Sequence, residues 1–246
     1  MKRIFFTLTL CLGILTTMAA DMPKQGFGFQ IGYAQPTLRL NSDNILYPKD
    51  SLVNITQLHG LKVGVVYDCS YWKGLGSSIG INYTFAAKTT GWQPATSFTR
   101  YPEYRHSYMY HQVEAFVDWQ YKFEIAKETY LMLYTGPTIQ CGIALYDKKE
   151  TREDITGLNL HAESTRNRYT DDDPNYILRR VNVTWGVGAG FQYKRYFIRG
   201  GYDFGIINPY KNDYYTNSIT GERMDRYTRG RFDQWEIKIG AYLLYQ

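Results

Sequence analysis

The chain has 246 residues, 24 of them Tyr and 22 Gly, with 21% charged side chains and a mean hydropathy of −0.42. That average excludes a bundle of membrane-spanning helices, each needing about 20 nearly uninterrupted apolar residues. Three Cys exclude a disulfide scaffold, and 17% aromatic content with abundant Gly favours extended strands over helices.

At the N-terminus, Lys2 and Arg3 precede an apolar run over residues 4–15 (IFFTLTLCLGIL), followed by small residues up to Ala20 and the charged Asp21. This layout predicts an export signal over residues 1–20, cleaved near Ala19 or Ala20, with the mature domain at 21–246. The run is too short to span ~30 Å of hydrocarbon, and the bulky Leu10 before Cys11 argues against lipidation. Cleavage removes two positive charges and lowers the formal net charge from +5 to +3. An exported protein with so small an imbalance is not a nucleic-acid binder.

Period-two alternation then predicts eight strands in chain order. Residues 26–34 set Phe27, Phe29, Ile31 and Tyr33 against small or polar partners, and residues 60–71 set Leu61, Val63, Val65 and Tyr67 against Lys62, Gly64 and Asp68. Residues 78–86 carry Ile79, Ile81, Tyr83 and Phe85 on one face, and 108–121 carry Val113, Ala115, Val117 and Trp119. Less regular strands follow at about 129–143, interrupted by Pro137, and at about 196–207, with a clean one at 181–193 between them. Trp235, Ile237, Ile239, Ala241 and Leu243 mark the last strand, 235–245. Period-two patterning of this kind is what a pleated strand with two different environments requires.

The connections alternate in length. Long ones fall at about 37–57, 89–107, 144–176 and 208–230, and short ones at about 72–76, 123–128 and 193–196. Together these features predict an all-β fold, an eight-stranded antiparallel up-and-down transmembrane β-barrel in the outer membrane, with short periplasmic turns and long outer loops. Aromatic residues at strand ends predict two interfacial girdles: Tyr67, Tyr71, Trp72, Trp119, Tyr121, Phe123, Tyr193, Tyr196 and Tyr245 toward the turns, and Phe85, Trp92, Tyr108, Tyr110, Tyr176, Phe204 and Tyr210 toward the loops.

Residues 186–202 (GVGAGFQYKRYFIRGGY) and 133–146 (LYTGPTIQCGIALY) resemble hairpin segments of the small outer-membrane β-barrel proteins of Bacteroidetes, a family that includes OmpX-like barrels and PorT-like or PorG-like accessory proteins of a secretion system. The resemblance covers roughly residues 26–246, and its glycine–aromatic motifs imply a fold rather than an activity. The family's barrels usually end in an aromatic residue, whereas here Tyr245 is followed by Gln246.

Charged residues in the inward phase predict a structural ion-pair network. Lys62, Arg180, Arg199 and Lys238 face Asp68, Glu114, Asp118, Asp203 and Glu236. A lumen of eight strands is filled by its own side chains, and charges in it must pair to offset desolvation. No metal spacing links His59, His106, His111 and His161. Ser107 beside His106 has the wrong geometry for a nucleophile and its base, because strand neighbours point to opposite faces. Cys69 and Cys141 are expected to stay unpaired on opposite heights of the barrel.

Candidate binding residues lie in the loops. Asp171, Asp172 and Asp173 form an acidic turn in a third loop carrying eight acidic and five basic side chains, whereas Arg223, Arg226 and Arg229 make the fourth loop basic. Arg suits bidentate phosphate contacts. The expected partners are outer-membrane lipid and lipopolysaccharide, with a protein partner at the loops or periplasmic turns as the other class. No cofactor and no metal are expected. The leading function is a non-enzymatic barrel whose loops serve binding or assembly, a secretion-system accessory role being implied by the resemblance alone. The alternatives are an outer-leaflet lipid-modifying enzyme, which needs a clustered His/Ser/acid set at one rim, and a narrow channel, which needs a continuous water path.

Overall fold

The computed structural model describes residues 25–40, 57–94, 103–155, 158–170, 178–211, 214–216, 220–225 and 230–245. The expected signal segment at 1–20 lies outside them. Eight strands close into one ring: β1 (Gln25–Leu40), β2 (His59–Trp72), β3 (Leu75–Thr89), β4 (Glu103–Ala126), β5 (Thr129–Ile155), β6 (Val181–Tyr193), β7 (Tyr196–Gly205) and β8 (Gly230–Tyr245). Each strand pairs antiparallel with its neighbours in the chain, and β1 closes on β8 from Gly26↔Tyr245 to Leu40↔Gly230. This is an all-β, up-and-down, eight-stranded barrel, and among the described residues no helix is long and apolar enough to cross a membrane.

One end of the barrel is built from tight turns. Trp72 pairs with Leu75 across Lys73 (φ 41°) and Gly74 (φ 87°), a pair of positive φ values that defines the type I′ turn. Two residues likewise separate the paired Ala126 and Thr129, and the paired Tyr193 and Tyr196. At the other end the strands run on into longer segments. Leu158–Asn167 adds a strand beside the upper part of β5, Gln93–Pro94 pairs with β4, and Tyr214–Thr216 pairs with Arg223–Asp225.

The alternation seen in sequence becomes two chemically distinct walls. Phe29, Ile31, Leu61, Ile79, Ile81, Val113, Val117, Leu131, Leu133, Ile139, Val187, Ile198, Ile237 and Ile239 all point out of the barrel and are exposed, Ile81 at 56%. Polar residues in the opposite phase point in and are buried. Small residues make room for the large ones, so that a Cβ on Gly188 would overlap the Tyr134 ring. Pro137 lies within β5 rather than ending it. It pairs with Trp185 on β6, and on the β4 side the register passes from Phe116↔Thr138 to Trp119↔Thr135 around it. A proline has no N–H to give to a ladder.

Toward the loop side this arrangement inverts. Leu38, Leu58, Ala86, Tyr108, Tyr110, Leu145, Tyr169, Leu178, Tyr210 and Phe232 form a buried apolar cluster inside the barrel mouth. The outward positions at the same level are Arg39, Glu103, Arg105, Lys148 and Arg152. The strands therefore extend beyond the sequence-derived bounds: β1 to Leu40 rather than 34, β4 from Glu103 rather than 108, β5 to Ile155 rather than 143, and β8 from Gly230 rather than 235. Tyr108, Tyr110 and Tyr210 belong to this internal cluster and not to the outer girdle, the first two because the repeat of β4 aims them inward, Tyr210 because the chain after β7 turns in to bridge with Leu178.

Candidate functional site

Two layers of charge occupy the middle of the lumen. In the layer nearer the turns, Arg199, 1% exposed, reaches across the barrel from β7 to Asp68 on β2. Its Nη2 donates to both Asp68 oxygens at 3.0 and 2.9 Å, and Nη1 donates to Ser78 Oγ at 2.8 Å. Lys122 Nζ adds 3.1 Å to Asp68 Oδ2, the Tyr242 hydroxyl donates to the same carboxylate, and Gln120 Oε1 accepts from Arg199 at 3.3 Å. Asp68 is thus held by two cations and a phenol, so that its buried negative charge is fully compensated.

In the next layer, Lys62, wholly buried, bridges Glu114 on β4 and Glu236 on β8, and Lys238 also binds Glu236. A girdle of amides completes Glu114: Asn82 Nδ2 and Gln112 Nε2 donate at 2.9 Å each and Gln234 Nε2 at 3.2 Å, while Gln30 Nε2 donates to Asn82 Oδ1 at 2.6 Å. Asp118 and Asp203 are buried in the same space, Asp118 facing Lys238 and Arg199, and Asp203 facing Lys62 and Lys238. Packed against these layers, Val66, Phe116, Met132, Phe197 and Tyr242 form a second apolar cluster, with Arg199 5.0 Å from the Phe197 ring centre and Lys238 5.2 Å from that of Phe116. The lumen is therefore packed with side chains throughout its described length.

Eight of the nine candidate lumen residues are brought together inside the barrel: Lys62, Asp68, Glu114, Asp118, Arg199, Asp203, Glu236 and Lys238. Arg180 is not among them. It is exposed just before β6 begins, donates to the Ile143 carbonyl at 3.1 Å and lies 5.6 Å from the Tyr169 ring centre, because no strand holds it in the inward phase. Lys122, which sequence reasoning missed, supplies the fourth cation. It shares the even-numbered phase of Glu114 and Asp118 and could have been found by carrying that phase one residue past Tyr121.

At the loop-side mouth the sequence also underestimated a polar latch. His106 is buried and its Nδ1 lies 2.8 Å from Asp147 Oδ1, while Arg168 from the segment after Leu158–Asn167 binds the other Asp147 oxygen. Burial would raise the Asp147 carboxyl, but the His106 hydrogen bond and the Arg168 charge prevail and hold it below the usual carboxylate range. Ser107 points to the opposite face and meets Thr89 at 3.2 Å, so the two residues do not form a nucleophile–base pair. On that outer face Arg105 and Arg152 flank Trp92, their guanidinium carbons 4.8 and 4.3 Å from its ring, and pair with Glu150 and Glu103. Lys148 and Arg105 hold Glu150 below the usual carboxylate range.

Among the described residues no group of three His, Cys, Asp or Glu side chains converges to hold a metal ion. Cys69, half-buried, and Cys141, exposed, carry free thiols on strands that do not adjoin. Asp171, Asp172, Asp173, Arg226 and Arg229 lie outside the described residues, as does the side chain of Arg223, and so do Tyr176 and the side chain of Tyr245.

No family model and no curated protein matches the chain. Among solved structures it is similar to Ail, the attachment invasion locus protein of Yersinia pestis, solved alone and in complex with the heparin analogue sucrose octasulfate. Identity is 14% over 90% of this chain and 99% of that one, with a TM-score of 0.36. It is also similar to Neisserial surface protein A, at 11% identity over 88% of this chain and 96% of that one, TM-score 0.35. The N-terminal β-barrel domain of Pseudomonas aeruginosa OprF follows at 8% identity over 87% and 96%, TM-score 0.26. The barrel assignment stands on the closed register of this chain.

Proposed function

We propose that the protein is a non-enzymatic outer-membrane barrel, exported through residues 1–20, whose lumen network is structural and whose loop-side rim serves binding or assembly. One observation carries this reading: an unbroken belt of exposed aliphatic and aromatic side chains on all eight strands around a closed, polar-filled barrel. Monomeric soluble proteins rarely expose apolar patches beyond a few hundred Å², and burial of such surface is favourable by about 25 cal/mol per Å². A bilayer covers the belt on every side at once, which a protein partner on one face does not. The inverted section above it, apolar within and charged without, suits water.

Charges paired across a filled lumen favour a structural role over a conducting or catalytic one, and His106 and Ser107 on opposite faces give a hydrolase nothing to work with. Alkaline extraction with heat-dependent gel mobility tests the membrane reading. Retention in the membrane and a mobility shift on boiling are expected; an alkali-soluble protein without a shift would overturn it. Planar-bilayer recording tests the sealed lumen, for which no steady conductance is expected. A secretion-system accessory role, which the family resemblance suggests, is tested by affinity capture of the intact protein from native membranes.

A further inference from the structure

On the outer face of β1, β2 and β3, where the apolar belt meets the loop-side rim, lies a groove of about 490 Å³. Tyr33, His59, Leu61 and Phe85 wall it, and the backbones of Gly32 and Gly60 form its floor. Two histidines stand at this level, an unusual choice for a belt otherwise made of aliphatic and aromatic residues. His59 pairs with Ala87 on one side of β3 and His111 with Phe85 on the other, which sets their backbone positions two strand spacings apart and two residues offset along β3, roughly 12 Å.

Each ring is fixed in the same way. The Tyr33 hydroxyl bonds His59 Nδ1, and the Tyr83 hydroxyl bonds His111 Nδ1 at 2.6 Å. Aromatic neighbours brace both pairs: the Phe85 ring centre is 5.0 Å from that of His111, and the Trp235 ring centre 5.2 Å from that of Tyr33. The phenol occupies Nδ1 in each pair, so Nε2 is the one ring nitrogen left to meet a ligand, and it is a donor in the tautomer whose Nδ1 accepts from the phenol. A donor placed beside hydrocarbon is costly without an acceptor. Any stretch of the belt accommodates an acyl chain. Here a groove is lined by His59, with His111 next to its Phe85 wall.

We propose that this patch binds one phosphorylated glycolipid of the outer leaflet, an acyl chain lying in the groove and phosphate oxygens accepting from Nε2–H of His59 and His111. The inference rests on the membrane reading above, which puts the loop side of the belt in the outer leaflet. It adds a defined place on the barrel wall and the residues that select the lipid there.

Native mass spectrometry of the full-length protein, titrated with diphosphoryl lipid A and separately with phosphatidylglycerol, tests it. The wild type is expected to retain one lipid A in preference to phosphatidylglycerol. The double variant His59→Phe/His111→Phe, which keeps aromatic surface in the belt, is expected to retain it at least five-fold more weakly, and Leu61→Trp, which fills the groove, is expected to weaken it similarly. Single Phe variants, each reducing retention about two-fold, stand in if the double variant loses its heat-dependent mobility. Equal retention by wild type and folded variants, equal retention of the two lipids, or no retention by the wild type would overturn the site. A wild type with no heat-dependent mobility overturns the barrel reading and the site together, whereas normal mobility with indifferent lipid retention overturns the site alone.

Discussion

Midway up the barrel, the inside is ionic and the outside apolar; at the loop-side mouth, the inside is largely apolar apart from the buried latch of His106, Asp147 and Arg168, and the outside is ionic. The same eight strands build both sections. Lys62 and Glu236 occupy the interior in the first, Leu38 and Phe232 in the second. The difference teaches that the pleat supplies two faces and the surroundings decide which one is hydrophobic. In the first section the polar residues point in and are paired; in the second the same strands close over an apolar core.

The ionic section is the one most sensitive to a single loss. Arg199→Met leaves the Asp68 carboxylate buried with only Lys122 and the Tyr242 hydroxyl. The expected cost is about 3–5 kcal/mol, read as a lower urea midpoint for unfolding from vesicles. A loss under 1 kcal/mol would show that the layer is hydrated rather than packed. In the apolar section, Tyr210→Ala removes a wholly buried ring from the mouth, a truncation expected to cost about 3 kcal/mol. That loss is expected to be local, with faster amide exchange in residues 178–180 and 206–211 and an unchanged urea midpoint. A global shift would mean that the two sections unfold as one.

Packing within the ionic section is tested at Gly188, whose neighbour Tyr134 stacks near Arg199. Gly188→Ala drives a methyl group into the Tyr134 ring, with about 1–3 kcal/mol of overpacking strain expected. Adding Tyr134→Leu is expected to restore most of it, and a double variant no better than the single would point to the backbone instead.

Acid separates the sections further. The Asp147 carboxyl is depressed in the folded state by His106 and Arg168. Its contribution is therefore present above the unfolded value of about 4 and is lost as pH falls through the folded one. Amide protection around residues 106–108 and 168–170 is expected to fall below about pH 4, and Asp147→Asn is expected to lower it at neutral pH while flattening that dependence. An unchanged profile in the variant would remove the latch. Smallest of all is Glu103→Ala on the outer face, where an exposed pair with Arg152 is worth under about 1 kcal/mol; a larger effect on urea stability would mean that this face is covered.

The inversion also explains what the amino-acid pattern revealed. Within the belt, odd positions of β1 and β4 are apolar, so Phe27 to Tyr33 and Val113 to Trp119 were legible as strand. Above it the apolar phase switches to even positions, Leu38 in β1 and Tyr108 and Tyr110 in β4. A search for one continuous stripe stops at that switch, which is why those strands seemed to end early. The lumen charges were legible from the same phase, Lys62 and Glu114 among them, and Arg180 was misplaced because its phase was right but its height was not. The latch escaped notice because it joins His106 to Asp147 and Arg168, residues brought together by register and by the return of the chain after Leu158–Asn167. The Tyr–His pairs escaped for the same reason, since each joins residues more than 25 positions apart.

The pairing of β4, β5 and Leu158–Asn167 has a further consequence for approach. From Tyr146 at the belt's upper edge, β5 climbs to Ile155, about 30 Å of extended chain before tilt. Beside β5 in the ring, β6 starts only at Val181, and the next strand, β7, ends at Gly205. The described strands thus raise a parapet at β4 and β5 and step down at once at the neighbouring β6 and β7. A body arriving along the barrel axis meets that parapet edge-on, because the strands stand with their broad faces turned outward and inward. The rim is therefore lopsided, with its tall side at one bearing around the axis.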